Sequence, residues 1–144
     1  MNAGGVDKAC KSSECSYQLS AFGNQLMKNF RFLELRVYQD AKIFHRKVIF
    51  YTKSWSREYD YLKNQLRRAA LSVVLNIAEG SGKSSDKDFN RYIQNSLGSI
   101  NESASCVDIA FDEKLLEKVA YEELFSLATN LKNSLGSLSK KLKS

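Results

Sequence analysis

The chain has 144 residues, of which 43% are hydrophobic and none is proline. This length fits one domain with a single core, and the helical spacing of the apolar residues favours an all-α fold without strands. Lysine and arginine total 22 against 16 acidic residues, and the resulting charge of +6 favours polyanionic partners. No segment approaches the roughly 20 apolar residues that cross a bilayer, which argues against a membrane protein.

The cysteines number three, at Cys10, Cys15 and Cys106. An odd count without paired spacing argues against a disulfide framework and favours a reducing compartment. We therefore expect a cytoplasmic protein. Cys106 is interpreted as a residue that fills space in a helix.

Residues 1–29 are rich in glycine, serine, asparagine and lysine, and the segment begins without helical periodicity. We expect a flexible N-terminal extension over this range and a helical domain over residues 30–144. Organised sequence begins at Phe30, so Met27 is an alternative start of the natural protein.

Four amphipathic segments follow, each with apolar residues every three or four positions. The first runs from Val37 to Trp55, and the second from about Asp60 to Glu79. Gly80 and Gly82 are expected to end the second helix in a left-handed conformation. Together with the next two segments, they predict an antiparallel, up-down-up-down four-helix bundle.

The third segment begins with a predicted capping box at Ser85 and keeps its apolar spacing from Phe89 to Phe111. Small residues on it, such as Ser96 and Ser103, would let another backbone come close, or form a solvated surface. The fourth segment carries leucines at the same spacing from Leu124 to Leu142.

The second segment is apolar on two faces. One stripe contains Leu66, Val73 and Ile77, and we expect it to face the core. The other stripe would need a different cover, which is most simply a second copy of the chain. The residues predicted for this oligomer interface are Arg67, Ala70, Leu71, Val74 and Ala78.

Several motifs carry a family resemblance: FRFLELRVYQ at 30–39, QLRRA at 65–69, NIAEG at 76–80, and LGS followed by Glu102. In combination they resemble the four-helix-bundle proteins encoded in intervening sequences of bacterial large-subunit rRNA genes, some of which carry a ribosomal-protein label. Many relatives have proline where this chain has Val74. The resemblance implies a homo-oligomer, often a pentameric ring, with a positive surface and suspected nucleic-acid binding. A distantly similar bundle is the accessory subunit of the reverse transcriptase in diversity-generating retroelements.

No constellation of residues indicates catalysis. The segment Gly80-Ser81-Gly82-Lys83-Ser84 looks like part of a phosphate-binding loop, but Ile77 stands where the first glycine belongs and a helix precedes it. His45 is the single histidine and lacks a glutamate three residues before it, so a bundle metal site is not expected. We predict no enzyme activity, no cofactor and no metal.

Basic residues give the better case, because phosphate contacts need clustered cations and no unique geometry. The alternative is a solvated face with local salt bridges. Tyr38, Tyr59, Tyr61 and Tyr92 could stack on unpaired bases or simply pack. The residues predicted to bind nucleic acid are Lys42, Arg46, Lys53, Lys63, Arg67 and Lys83.

The sequence thus predicts a non-enzymatic, homo-oligomeric bundle that binds RNA, or DNA, with little sequence specificity. The alternative is a ring-shaped adaptor that recruits a protein, for example a reverse transcriptase. A small-molecule enzyme is a more distant third hypothesis.

Overall fold

The computed structural model describes residues 29–144. The expectations for an extended tail, for Met27 and for the first two cysteines therefore lie outside the described residues, except for residue 29. Two short 3-10 helices, Arg31–Glu34 and Arg57–Tyr59, precede the first and second α-helices. The α-helices are α1 Arg36–Thr52, α2 Asp60–Ser81, α3 Asp86–Asp112 and α4 Lys118–Lys143. This part of the chain contains no strand, which confirms the predicted all-α class.

Each helix packs against its neighbours in sequence, and α1 also packs against α4. This closes a four-helix bundle of the predicted up-down-up-down kind. The contact is most extensive between α2 and α3 and least extensive between α1 and α4.

The predicted apolar positions supply most of the core. The larger fully buried side chains are Phe44, Val48, Leu66, Val73, Ile77, Phe89, Ile93, Ile100, Val107, Leu124, Leu131 and Leu135. α1 ends at Thr52, so Trp55 lies in the connection between α1 and α2. Its side chain is nevertheless buried in the core. Phe111, predicted on the seam of α3, is 37% exposed.

Two serines of α3 also belong to the core, although the spacing of apolar residues did not predict this. Ser96 and Ser103 are fully buried, and Ser96 Oγ donates to the carbonyl oxygen of Val73 on α2 at 3.2 Å. Ser103 Oγ donates to the carbonyl oxygen of Ser99 on its own helix at 2.9 Å. The side chains of Ser96 and Ser103 are small, and their hydroxyls are hydrogen-bonded inside the core. These serines therefore let α2 and α3 approach closely.

The predicted role of Gly80 was wrong. No described glycine has a positive φ, and α2 continues through Ser81. A Cβ atom on Gly80 would lie 2.7 Å from Tyr92 Cβ and 2.8 Å from Phe89 Cδ2. Glycine is therefore required there by the close approach of α3. Gly82 follows the helix with a φ of −86°, which any residue can adopt.

The predicted start of α3 is confirmed. The Ser85 hydroxyl accepts a hydrogen bond from the backbone N–H of Asp88 at 3.1 Å. Such a cap satisfies one of the free N–H groups of the first turn and stabilises the helix by about 1 kcal/mol.

The two apolar faces of α2 are only partly separate in the fold. Ala70 is fully buried and Val74 is 6% exposed. They stand three and seven residues after Arg67, which bonds to Thr52 of α1, so they share the side of α2 that faces α1. A second copy is not needed to cover these two residues. Leu71 is 42% exposed, and so is Leu75 at 56%. The interface stays a prediction, and its exposed apolar part is the pair Leu71 and Leu75.

Candidate nucleic-acid interface

A basic stripe runs along the outer side of α1. Lys42, Arg46, Ile49 and Lys53 follow one another at steps of four, three and four residues, so they share one side of the helix. At about 100° per residue, this side points away from the direction of Ala41 and the rest of the core. Arg46 and Lys53 are exposed, and Lys42 is partly exposed.

Ion pairs divide the predicted cations into two groups. Lys63 pairs with Asp60 three residues before it, and Lys83 Nζ lies 3.8 Å from Glu79. The remaining predicted cations have no carboxylate oxygen within 4.0 Å among the described residues. They are Lys42, Arg46, Lys53 and Arg67. Their positive field is not cancelled by an adjacent carboxylate.

Arg67 joins this stripe from α2. Its Nε donates to Thr52 Oγ1 at 2.8 Å, and that hydroxyl donates to the carbonyl oxygen of Val48 at 2.7 Å. Arg67 therefore reaches across to the C-terminal turn of α1, where free carbonyl groups favour a cation. A guanidinium has five N–H donors, so one bond to Thr52 leaves others for a ligand.

His45 lies two turns before Thr52 on the same side of α1, facing α2. Its side chain is partly buried. Burial, and to a lesser degree the charge of Arg67, lower the pKa of His45 below its ordinary value. The imidazole is consequently neutral near pH 7. No group of three or more metal-binding side chains exists in residues 29–144.

The tyrosines predicted to stack on bases also fall into two groups, those that already have a partner or are partly buried and those that are exposed. Tyr92 donates to Glu79 at 3.0 Å, and Tyr38 packs on Phe32 with ring centroids 4.8 Å apart. Tyr59 is partly buried, whereas Tyr61 is 66% exposed. Tyr61 is thus the predicted stacking residue whose ring is open to a base.

Several residues escaped the sequence analysis. Leu75 was assigned to neither stripe of α2, although it stands four residues after Leu71 and so shares its side. The two leucines line a shallow groove whose ends carry Arg68 and Glu79. On α1, Phe50 is 68% exposed and Ile43 is 43% exposed. Their spacing of seven residues was the available signal.

The segments that could suggest catalysis have structural roles. Gly80 and Ser81 form the end of α2, and Ser85 caps α3, so a helix and not a strand precedes this loop. Cys106 is 6% exposed, and burial raises the pKa of its thiol. A raised pKa lowers the thiolate fraction, which is the opposite of what a nucleophilic cysteine needs.

These features define a class: a small all-α bundle whose outer face carries cations without acidic partners. The family model described as 23S rRNA-intervening sequence protein matches residues 33–137. The match covers well over half of the chain, so the chain belongs to this family. It confirms the predicted family, whereas the distant resemblance to retroelement accessory subunits stays a prediction. No curated protein gives a significant match.

None of the helices in the described residues combines the length and the apolar character that crossing a bilayer demands.

Proposed function

We propose that the protein is a non-enzymatic RNA-binding protein that contacts phosphates through the outer face of α1 and the adjoining edge of α2. The observation that carries this proposal is the set of neighbouring cations without an acidic partner, in a chain that has 16 acidic residues. The family name, which refers to intervening sequences of 23S rRNA, supports RNA as the ligand.

The proposed contacts are Lys42, Arg46, Lys53 and Arg67. Lys63 and Lys83 are expected to contribute less, because each would have to exchange a carboxylate for a phosphate. Contacts of this type do not distinguish base sequences. Tyr61 would add stacking on an unpaired base, which also tolerates any sequence.

The first experiment measures affinity for a labelled single-stranded RNA by fluorescence anisotropy over a range of salt concentrations. The double variant Arg46→Glu with Lys53→Glu should bind at least tenfold more weakly, since about two phosphate contacts become repulsive. Its plot of log affinity against log salt should also be less steep. Lys118→Glu with Lys140→Glu, on α4, changes the net charge equally and serves as the control. Equal losses in both variants would contradict the assigned surface.

We also propose that the protein forms a homo-oligomer through the exposed side of α2. Leu71 and Leu75 lie one turn apart, and Arg68 and Glu79 give their groove one charge of each sign. A second copy would bury these leucines, whereas Glu79 at the end of the groove already accepts a hydrogen bond from Tyr92 and lies 3.8 Å from Lys83. Arg67 and Ala78 flank them, while Ala70 and Val74 support them from inside. A pentamer stays the expected assembly from the family resemblance.

Sedimentation velocity would test the assembly. Leu71→Asp with Leu75→Asp should shift the protein towards single subunits, because charges on an apolar interface are costly to bury. Val119→Asp is the control, since Val119 is 75% exposed on α4. A wild-type protein that sediments as a monomer at high concentration would refute the proposal.

The alternative function is an adaptor that recruits another protein, such as a polymerase. The observation that favours it is the exposed apolar pair Ile43 and Phe50 on α1. A stoichiometric protein partner retained after nuclease treatment and a high-salt wash, and lost in Phe50→Ser, would support the adaptor over the RNA-binding protein.

A further inference from the structure

Phe50 is a large apolar side chain that the bundle leaves open to solvent. It is 68% exposed, and no aromatic side chain in the described residues is more exposed. This fraction is too large for both faces of the ring to be covered. An open aromatic face is a favourable surface for a second flat ring system, because offset stacking adds to the burial of apolar area.

The Phe50 ring is supported by a contact that reaches α4. Tyr51 packs edge-on against Phe50, with ring centroids 5.2 Å apart and ring planes at 75° to each other. The Tyr51 hydroxyl donates to Glu123 of α4, which also pairs with Lys47. Because Tyr51 is anchored to two helices, it restricts the Phe50 ring. A ligand therefore meets a ring that is already in place.

A shallow pocket lies beside this ring. Its volume is about 310 Å³, and it is lined by Ile43, Arg46, Lys47 and Phe50. Pockets for small ligands start at about 300 Å³ and combine an apolar lining with a few polar groups that orient the ligand. None of the four lining residues is acidic. Since Lys47 is paired with Glu123, Arg46 is the lining cation that is free to meet an anion.

The pocket lies between two cations that the proposed function assigns to phosphates. Arg46 stands four residues before Phe50 and Lys53 three residues after it, so they share the outer side of α1. The two cations are separated by about 10 Å along the helix axis. Neither has an acidic partner in residues 29–144. A strand whose phosphates contact both cations therefore passes over the ring of Phe50.

We propose that Phe50 and Ile43 form a stacking pocket for one unpaired base of RNA, with the flanking phosphates bound by Arg46 and Lys53. Every nucleotide of a single strand carries both an aromatic face and a phosphate, and proteins bind such strands with aromatic side chains in a positive groove. In a duplex, neighbouring base pairs cover these faces. The inference rests on the proposed function and names its ligand class, which is single-stranded RNA.

The test compares two labelled RNAs with the same number of phosphates, oligouridine and an abasic strand that has the sugar-phosphate backbone but no bases. At one salt concentration, the wild-type protein should bind oligouridine about fivefold or more tightly, which is the usual contribution of one stacked base. Phosphate contacts are the same in both strands, so this ratio isolates the contribution of the bases.

Variants at Phe50 assign the ratio to the pocket. Phe50→Ser should weaken binding of oligouridine about fivefold and leave the affinities for the abasic strand and for an RNA duplex close to wild type. Phe50→Trp should keep the wild-type ratio, because it retains an aromatic face. Val119→Ser is the matched control, since it removes an apolar side chain that is 75% exposed on α4. It should change none of these affinities.

A second measurement locates the base in the wild-type protein. A 5-iodouridine placed in the strand forms a covalent bond on irradiation, preferentially with an aromatic side chain that is stacked on it. Mass spectrometry of the digested complex should find the cross-link at Phe50. A cross-link confined to other residues would overturn the pocket.

The remaining outcomes separate the two proposals. Equal binding of oligouridine and the abasic strand would overturn the pocket and leave the RNA-binding function standing. Absence of binding to every RNA at every salt concentration would refute the proposed function and, with it, the pocket. Unchanged RNA binding by Phe50→Ser, together with loss of a stoichiometric protein partner, would overturn the pocket and assign Phe50 to the adaptor.

Discussion

Basic side chains on two sides of α1 differ in whether they have an acidic partner. Lys47, on the side of α4, lies 2.6 Å from Glu123, which also accepts from Tyr51. Arg46, the preceding residue, has no carboxylate within 4.0 Å in the described structure. Adjacent basic residues thus have different surroundings: Lys47 helps hold two helices together, whereas Arg46 is exposed and has no acidic partner in the described residues.

The same contrast divides α2. On the edge of α2 that faces α3, side chains form hydrogen bonds between the two helices. The hydroxyl oxygens of Ser72 and Ser99 lie 2.9 Å apart, and Gln65 donates to Glu102. The outer side of α2 carries Arg68, for which no ion pair is seen in residues 29–144. The net charge of a chain is therefore a weak guide to a binding surface, because the partners of each cation decide whether it is available.

The largest expected effect tests the close contact between α2 and α3. Gly80→Ala should lower the free energy of unfolding by about 1–3 kcal/mol, because its Cβ would overlap Tyr92 Cβ and the Phe89 ring. Gly98→Ala is the matched control on an exposed turn of α3, where a Cβ meets nothing within 4 Å. That variant should gain about 0.5–1 kcal/mol. Urea denaturation measures both, and a Gly80→Ala protein as stable as wild type would contradict the close approach.

A smaller effect separates Arg46 from Lys47. Arg46→Gln should weaken RNA binding several-fold and leave the unfolding midpoint nearly unchanged, because it removes one proposed phosphate contact and no internal partner. Lys47→Gln should do the reverse, lowering stability slightly while RNA affinity stays close to wild type. Anisotropy and urea titrations on both variants check the pair. If the two variants showed the same RNA affinity and the same unfolding midpoint, the difference between Arg46 and Lys47 would be contradicted.

The smallest expected effect is the pH dependence of stability through His45. Its pKa is lower in the folded than in the unfolded protein, so the unfolded chain binds more protons between the two values. The stabilisation is fully present above about pH 6.5 and falls as the pH drops towards the folded value. His45→Gln should therefore lose less stability than wild type between about pH 7.5 and 5. Parallel curves for the two proteins would argue against the lowered pKa.

The sequence predicted the helices well, because apolar spacing and the Ser85 cap are local signals. It also contained the local partners of Lys63 and Lys83, since Asp60 and Glu79 stand three and four residues before them. Those pairs could have been used to rank these two lysines below Arg46.

Other features needed the tertiary structure. Glu123 is far from Lys47 along the chain, so spacing could not reveal their contact. The same holds for Gly80, where a Cβ atom would meet Phe89 and Tyr92 of the next helix, and for Ala70 and Val74, which are buried in the bundle. A helix flanked by two others buries a wider arc than one stripe, and this made the second face of α2 look uncovered.

The hydrogen bond from Arg67 to Thr52 has an entropic consequence. A free arginine loses up to about 2 kcal/mol of rotamer freedom when it becomes fixed. Thr52 already restricts the Arg67 side chain in the ligand-free fold, so part of this loss occurs during folding. An anion that meets this preorganised donor therefore has less disorder to remove than at Lys53, whose exposed side chain makes no hydrogen bond or ion pair among the described residues.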